Sequence, residues 1–150
     1  MIGHLQRNKV RQLLRTTDII HSVDTLRLAE EISKGAEKLD ICPKILMQVN
    51  CSEEPQKYGV PVGAAIHLDE QIVTKPNNKL IGLMTMAPLT LNKDIVKACF
   101  ARTRELFEEI QGEKIGGHDF RHLSMGMSQD YEIAIEYGAT ILRIGSAIFA

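Results

Sequence analysis

The sequence predicts an α/β fold made of repeated strand–helix units. Short apolar runs alternate with longer amphipathic stretches, and clusters of polar turn residues separate them. Most of the apolar runs lack the in-and-out alternation of a half-exposed strand, as expected for parallel strands covered on both faces. The composition agrees: 150 residues, 44% hydrophobic and 25% charged, describe one globular domain over 1 to 150 and exclude collagen-like, coiled-coil-only and strongly disordered chains.

The opening RNKVRQLLR, 7 to 15, reads as a helix surface with Val10, Leu13 and Leu14 on its apolar side. IIHSVD, 19 to 24, is the first predicted strand. After it, TLRLAEEISKGAEKL places Leu26, Ala29, Ile32, Ala36 and Leu39 at spacings of three and four, one apolar stripe of a helix that Asp24 or Thr25 can cap. KILMQVN, 44 to 50, is the second strand. VGAAIHLDEQIV, 62 to 73, is a weaker helix entered through Pro61, with an alanine-rich face suited to close packing. KLIGLMTM, 79 to 86, is the third strand. The longest predicted helix covers 92 to 111, with Ile95, Cys99, Phe100, Leu106, Phe107 and Ile110 as its stripe and Gly112 as its stop. HLSMGM, 122 to 127, and TILRIG, 140 to 145, are the last strands; between them a short helix over 128 to 138 has Ser128 as candidate N-cap and Gly138 as stop.

Charge and cysteine content narrow the functions. With 18 Lys and Arg against 19 Asp and Glu, the formal net charge is −1, so no overall field draws the chain to nucleic acid or to an anionic membrane. No apolar run approaches the roughly 20 residues of a membrane span, and the N-terminus lacks the apolar core of a signal peptide. Three cysteines without CxxC or metal-ligand spacing fit a reducing, cytoplasmic setting. The five histidines show no ligand spacing either, so no metal is expected. His21, Ser22 and Asp24 do not make a hydrolytic triad, because strand neighbours face opposite ways and no GxSxG elbow is present.

Repeated βα units give either a doubly wound sheet or a (β/α) barrel. GxGxxG and GxxxxGK[ST] are both absent, which removes the commonest nucleotide-binding open sheets. The chain is also short of the roughly 250 residues typical of eight units. In either architecture the chemistry gathers at the C-terminal ends of the strands. Two turns there, MGMSQD with Gly126 and Ser128, and RIGSAIF with Gly145 and Ser146, combine a glycine that admits a ligand with a hydroxyl suited to an anion. They follow the last two strands, where barrels place a phosphate. Arg143, two residues before Gly145, shares its strand face. Buried there, it needs either an acidic partner or a ligand's ring nitrogen or carboxylate. Met84, Met86, Met125 and Met127 cluster at strand ends as core filling, or as a wall for a flat aromatic ligand.

The segments IGHLQRNKVR, IHSVDT, ILMQVNCSEEPQKYGV, IGLMTMAP, HLSMGMSQDYEIAIEYGAT and LRIGSAIF, in this order, resemble the pyridoxal phosphate homeostasis protein family, also called the YggS/PROSC family. The pattern SMGMSxDxxxAIxxGxTxxRIGxxIF is its most specific part, and the resemblance runs from residue 2 to residue 149. It implies a (β/α) TIM-type barrel of the alanine racemase N-terminal type, incomplete here at about six of eight strands, and a cytoplasmic binder of pyridoxal 5′-phosphate (PLP) rather than an enzyme. PLP-dependent apoenzymes are the partners it suggests. By the same resemblance Arg143 faces the pyridine nitrogen, Gly145 and Ser146 form the phosphate turn, and Ser128, with Ser124, supplies the other phosphate-side hydroxyl. Relatives carry two further βα units at the front, the first bearing the Schiff-base lysine. That lysine is expected to be absent from this chain, and none of Lys9, Lys57 or Lys79 occupies its place. Ala150 stands where relatives have glycine. A racemase-like PLP enzyme and a barrel that binds a sugar phosphate without PLP are the alternatives.

Overall fold

The computed structural model describes residues 1–149; the Ala150 position lies outside the described residues. Strands β1 (Ile19–Val23), β2 (Lys44–Asn50), β3 (Val60–Pro61), β4 (Lys79–Met84), β5 (His122–Met127) and β6 (Ile141–Arg143) all pair in parallel. Helices α1 (Val10–Leu13), α2 (Leu26–Leu39), α3 (Val62–Val73), α4 (Lys93–Gly112), α5 (Tyr131–Glu136) and α6 (Ser146–Phe149) occupy the connections, and a single 3-10 turn, Arg7–Lys9, precedes α1.

The strand order is β1-β2-β4-β5-β6, with the two-residue β3 hanging from β2. Each main strand pairs with the next in sequence, so the sheet winds in one direction and never reverses as a doubly wound sheet does. This settles the choice between the two architectures: the sheet is an open, curled half-barrel. Met1 lies along the outer side of β1, donating from its amino group to Ile19 O and accepting from His21 N, both at 2.8 Å. At the other margin β6 has, among the described residues, a ladder partner on one side only, β5.

The helices pack on the convex face and bury the main core, which runs from Leu5 and Val10 through Ile32, Ile45, Ile72 and Phe100 to Leu123 and Ala134. The concave face holds a separate small cluster of Leu46, Ile81 and Met84, with Ile19 and Met86 against it. Strand periodicity explains the division, since Ile45 and Leu46, or Leu80 and Ile81, must look to opposite sides. Along β1, β5 and β6 the same parity sets polar residues on the inner layer.

The predicted helices form where the stripes are. Thr25 caps α2, its hydroxyl accepting from Leu28 N, and Asn92 caps α4 by accepting from Asp94 N. The α4 stripe is rotated slightly from expectation: Val96 is buried and Ile95 is 46% exposed, and Gly112 closes the helix from inside it. In α3 only Ala65 of the alanine pair is buried. Ser128 does not cap α5. That helix starts later, with Asp130 as its N-cap, whose carboxylate accepts from Met127 N at 2.6 Å. Gly138, at φ 85°, ends α5 as expected.

Candidate functional site

The C-terminal ends of the strands open into a cavity of about 1230 Å³, lined among others by His21, Lys57, Met86, Ser128, Arg143 and Gly145. Four of the five residues that the sequence offers for binding, Arg143, Gly145, Ser146 and Ser128, line it together. Ser124, the fifth, does not. It is fully buried one layer below, and its hydroxyl is taken by Arg143 and His21 rather than presented with Ser128.

Arg143 is 7% exposed and ends β6 facing inward. Its Nη1 donates to Ser124 Oγ and its Nη2 to the Thr85 carbonyl, each at 2.7 Å. No acidic side chain pairs with it among the described residues, so the structural ion pair is not what holds it. Burial lowers the guanidinium to about 10 while Asp130 acts in the opposite sense, and the group remains cationic at neutral pH. Its Nε–H is buried without a hydrogen-bond partner among the described residues. A buried donor left unmade is costly, and an acceptor brought by a ligand would satisfy it.

The last two turns meet through Ser128. Its Oγ accepts from Gly145 N and from Ala147 N, both at 3.2 Å, so two backbone donors converge on one oxygen. A Cβ built on Gly145 would meet nothing within 4 Å, so the open side of this turn faces space rather than packing. Gly126 is held differently: at φ 98°, its added Cβ would come within 2.6 Å of the Ala134 Cβ, so here glycine serves the packing of α5 on β5.

The methionines divide by their depth along the strands. Met84, in the concave-face cluster, and Met125, in the main core, are fully buried, whereas Met86 and the 44% exposed Met127, two residues further along, line the cavity. His21 also lines it, its Nδ1 2.9 Å from Ser124 Oγ. Burial, the charge of the amino terminus and Arg143 lower this imidazole to about 4. The sequence offers His21 as a scattered histidine and as a member of a triad with Ser22 and Asp24 that it does not support, not as a binding residue. The signal that it shares a strand face with Ile19 was present in the parity of β1. The Thr85 carbonyl carries no such signal, because every residue has one. Lys57, also in the lining, donates to the Ala87 carbonyl at 3.2 Å and pairs with Glu54. Ser22 Oγ is buried without a partner among the described residues, so the residue next to His21 makes no triad with it. All three cysteines are free. Among the described residues no cluster suits a metal ion, and no helix is long and apolar enough to cross a membrane.

A half-barrel of parallel strands with an inward arginine on the last strand and a glycine–serine turn after it defines a domain of the alanine racemase N-terminal class. The family model described as alanine racemase, N-terminal domain, matches residues 1–150. Alanine racemase of Clostridium difficile shares the fold, with a TM-score of 0.80 over 98% of this chain at 11% identity. Within that class the relatives are more particular. The pyridoxal phosphate homeostasis protein of Aquifex aeolicus is 45% identical over 148 residues, 99% of this chain and 64% of the relative, and that of Synechocystis sp. is 36% identical, with 67% of its length covered. PipY of Synechococcus elongatus, solved with PLP bound, superimposes with a TM-score of 0.90 at 34% identity, over 99% of this chain and 68% of PipY. This chain belongs to the pyridoxal phosphate homeostasis protein family. It spans about two-thirds of the length of these relatives.

Proposed function

We propose that this chain is a partial barrel domain that binds PLP and acts as a noncatalytic, cytoplasmic carrier in PLP homeostasis, passing the cofactor to PLP-dependent apoenzymes. Arg143 carries the reading. Each terminal nitrogen of its guanidinium donates once to the protein, and its Nε–H is buried without a partner among the described residues, in a residue that lines the cavity. A heteroaromatic nitrogen is an acceptor suited to it. The backbone donors that meet at Ser128 suit phosphate oxygens, and Gly145 leaves room for them. The residues therefore fit a ligand with a phosphate at one end and a ring nitrogen at the other.

Arg143 would hold the ring nitrogen, and Gly145, Ser146 and Ser128 the phosphate. Ser124 would contribute indirectly, by fixing Arg143. PLP supplies an electron sink through its ring when the ring nitrogen is protonated. A guanidinium at that nitrogen keeps it unprotonated and the sink weak, which suits storage and delivery better than turnover.

Calorimetric titration of the chain with PLP, pyridoxal and a sugar phosphate tests the reading. PLP should bind, with pyridoxal at least about tenfold weaker for want of the phosphate contacts. Gly145→Ala should weaken PLP without changing the melting temperature, since its methyl enters space and not packing. Arg143→Lys should also weaken it, because a single ammonium nitrogen lacks the planar fork that reaches Ser124, Thr85 and a ligand from three separate nitrogens. Equal affinity for PLP and pyridoxal would remove the phosphate half of the reading. A sugar phosphate that binds as tightly as PLP would replace it, and racemisation of L-alanine would replace the carrier with an enzyme.

A further inference from the structure

His21 has no part in the site as proposed so far, yet it lines the same cavity at 8% exposure. Its Nδ1 and the Arg143 Nη1 converge on one oxygen, Ser124 Oγ, at 2.9 and 2.7 Å. Arginine only donates, and a hydroxyl has one proton to give. If His21 Nδ1 carried a proton, the serine would accept twice, and its own O–H, fully buried, would have no acceptor among the described residues. Leaving that donor unmade is costly. The serine therefore donates to Nδ1, and the ring proton sits on Nε2. Burial and the two nearby cations keep the ring neutral. Nε2 has no hydrogen-bond partner among the described residues and, unlike Arg143 Nε, is not sealed from solvent. Two residues that line the cavity, Arg143 and His21, thus each keep an N–H without a partner among the described residues, on side chains linked through Ser124.

We propose that His21 Nε2–H is a specificity-determining donor of this site, selecting a heteroaromatic ligand that bears an oxygen acceptor on the ring close to the nitrogen addressed by Arg143. The inference rests on the reading of Arg143 given above. PLP has such an oxygen at ring position 3. It is the acceptor nearest the ring nitrogen, since the aldehyde stands opposite that nitrogen and the phosphate arm leaves from the other side. As a phenolate this oxygen accepts a charge-assisted bond, the stronger kind.

The test compares PLP with its 3-deoxy analogue on the full chain, by calorimetry. His21→Asn keeps an acceptor within reach of Ser124 and removes Nε2, so it separates ligand recognition from the anchoring of Arg143. The wild type should prefer PLP by about tenfold. H21N should bind both ligands equally, with the affinity that the wild type has for the analogue. Nitrogen-15 NMR of the ligand-free chain should show the neutral Nε2–H tautomer, with the Nε2 proton moving when PLP is added. A tenfold preference retained by H21N, or an Nδ1–H tautomer, would overturn the inference while leaving PLP binding intact. If H21N does not fold, the wild type decides alone, equal affinity for the two ligands being the overturning result. Failure of the wild type to bind PLP at all would overturn the site reading, and this inference with it.

Discussion

Asp69 sits in the middle of the buried face of α3, fully buried, with neither carboxylate oxygen hydrogen-bonded among the described residues. Desolvation, with a smaller contribution from Glu70, raises it from 3.8 to about 7. In the unfolded chain the same group ionises near its ordinary value. Between about pH 4 and 7 the folded state therefore binds the extra proton, and stability falls as pH rises through that window. Asp69→Asn, neutral throughout, should flatten the slope: it should raise the melting temperature at pH 8 relative to wild type by more than it does at pH 5. A parallel shift at both pH values would mean that ionisation is not the cause. The periodicity of α3 gives no warning of this carboxylate, because a buried stripe is recognised by its apolar members and Asp69 occupies a slot between Leu68 and Ile72. Arg143 was more legible. A charged residue inside an apolar run must find partners, and its parity with Gly145 set it on the inner face. Ser128 was legible as a hydroxyl near an anion site but not as the link between two turns, since that link spans 17 residues of sequence.

At the scale of elements, Gly82 is the tightest fit. In β4, at φ 154°, an added Cβ would lie 1.7 Å from the His122 carbonyl oxygen across the β4–β5 ladder. Backbone cannot yield as a flexible side chain can, so Gly82→Ala should cost more than about 3 kcal/mol and leave little folded protein, as read by chemical denaturation. Gly63, in α3, makes the contrast. Nothing lies within 4 Å of its Cβ position, and Gly63→Ala should stabilise the chain by about 0.5–1 kcal/mol. Thr25→Ala should cost about 1 kcal/mol by removing the α2 cap. The main strands and long helices could be read from sequence because their patterns are local: each run of β-forming residues is bounded by turns, and each stripe repeats at three and four. The two-residue β3 was not foreseen, since what makes it a strand is its pairing with Val49 and Asn50 of β2. Nor was the rotation of α4, which exchanges Ile95 for Val96 and is set by tertiary packing.

For the molecule as a whole, local pattern predicted parallel βα units but not their order in the sheet. A doubly wound and a singly wound arrangement can share the same elements, and only the pairing of β1-β2-β4-β5-β6 tells them apart. The family resemblance supplied what periodicity could not. The winding also places Arg143 on β6, a three-residue strand with, among the described residues, a neighbour on one flank alone. Amide protons at such a margin trade with solvent through small openings, well before those of β2 or β4. Deuterium uptake over 141 to 147 should therefore be fast in the free chain and slow when PLP is present, with β2 and β4 unaffected. The groups proposed to grip the cofactor would then lie on the part of the sheet that breathes first, so each fluctuation of that margin is also an opportunity for the cargo to leave.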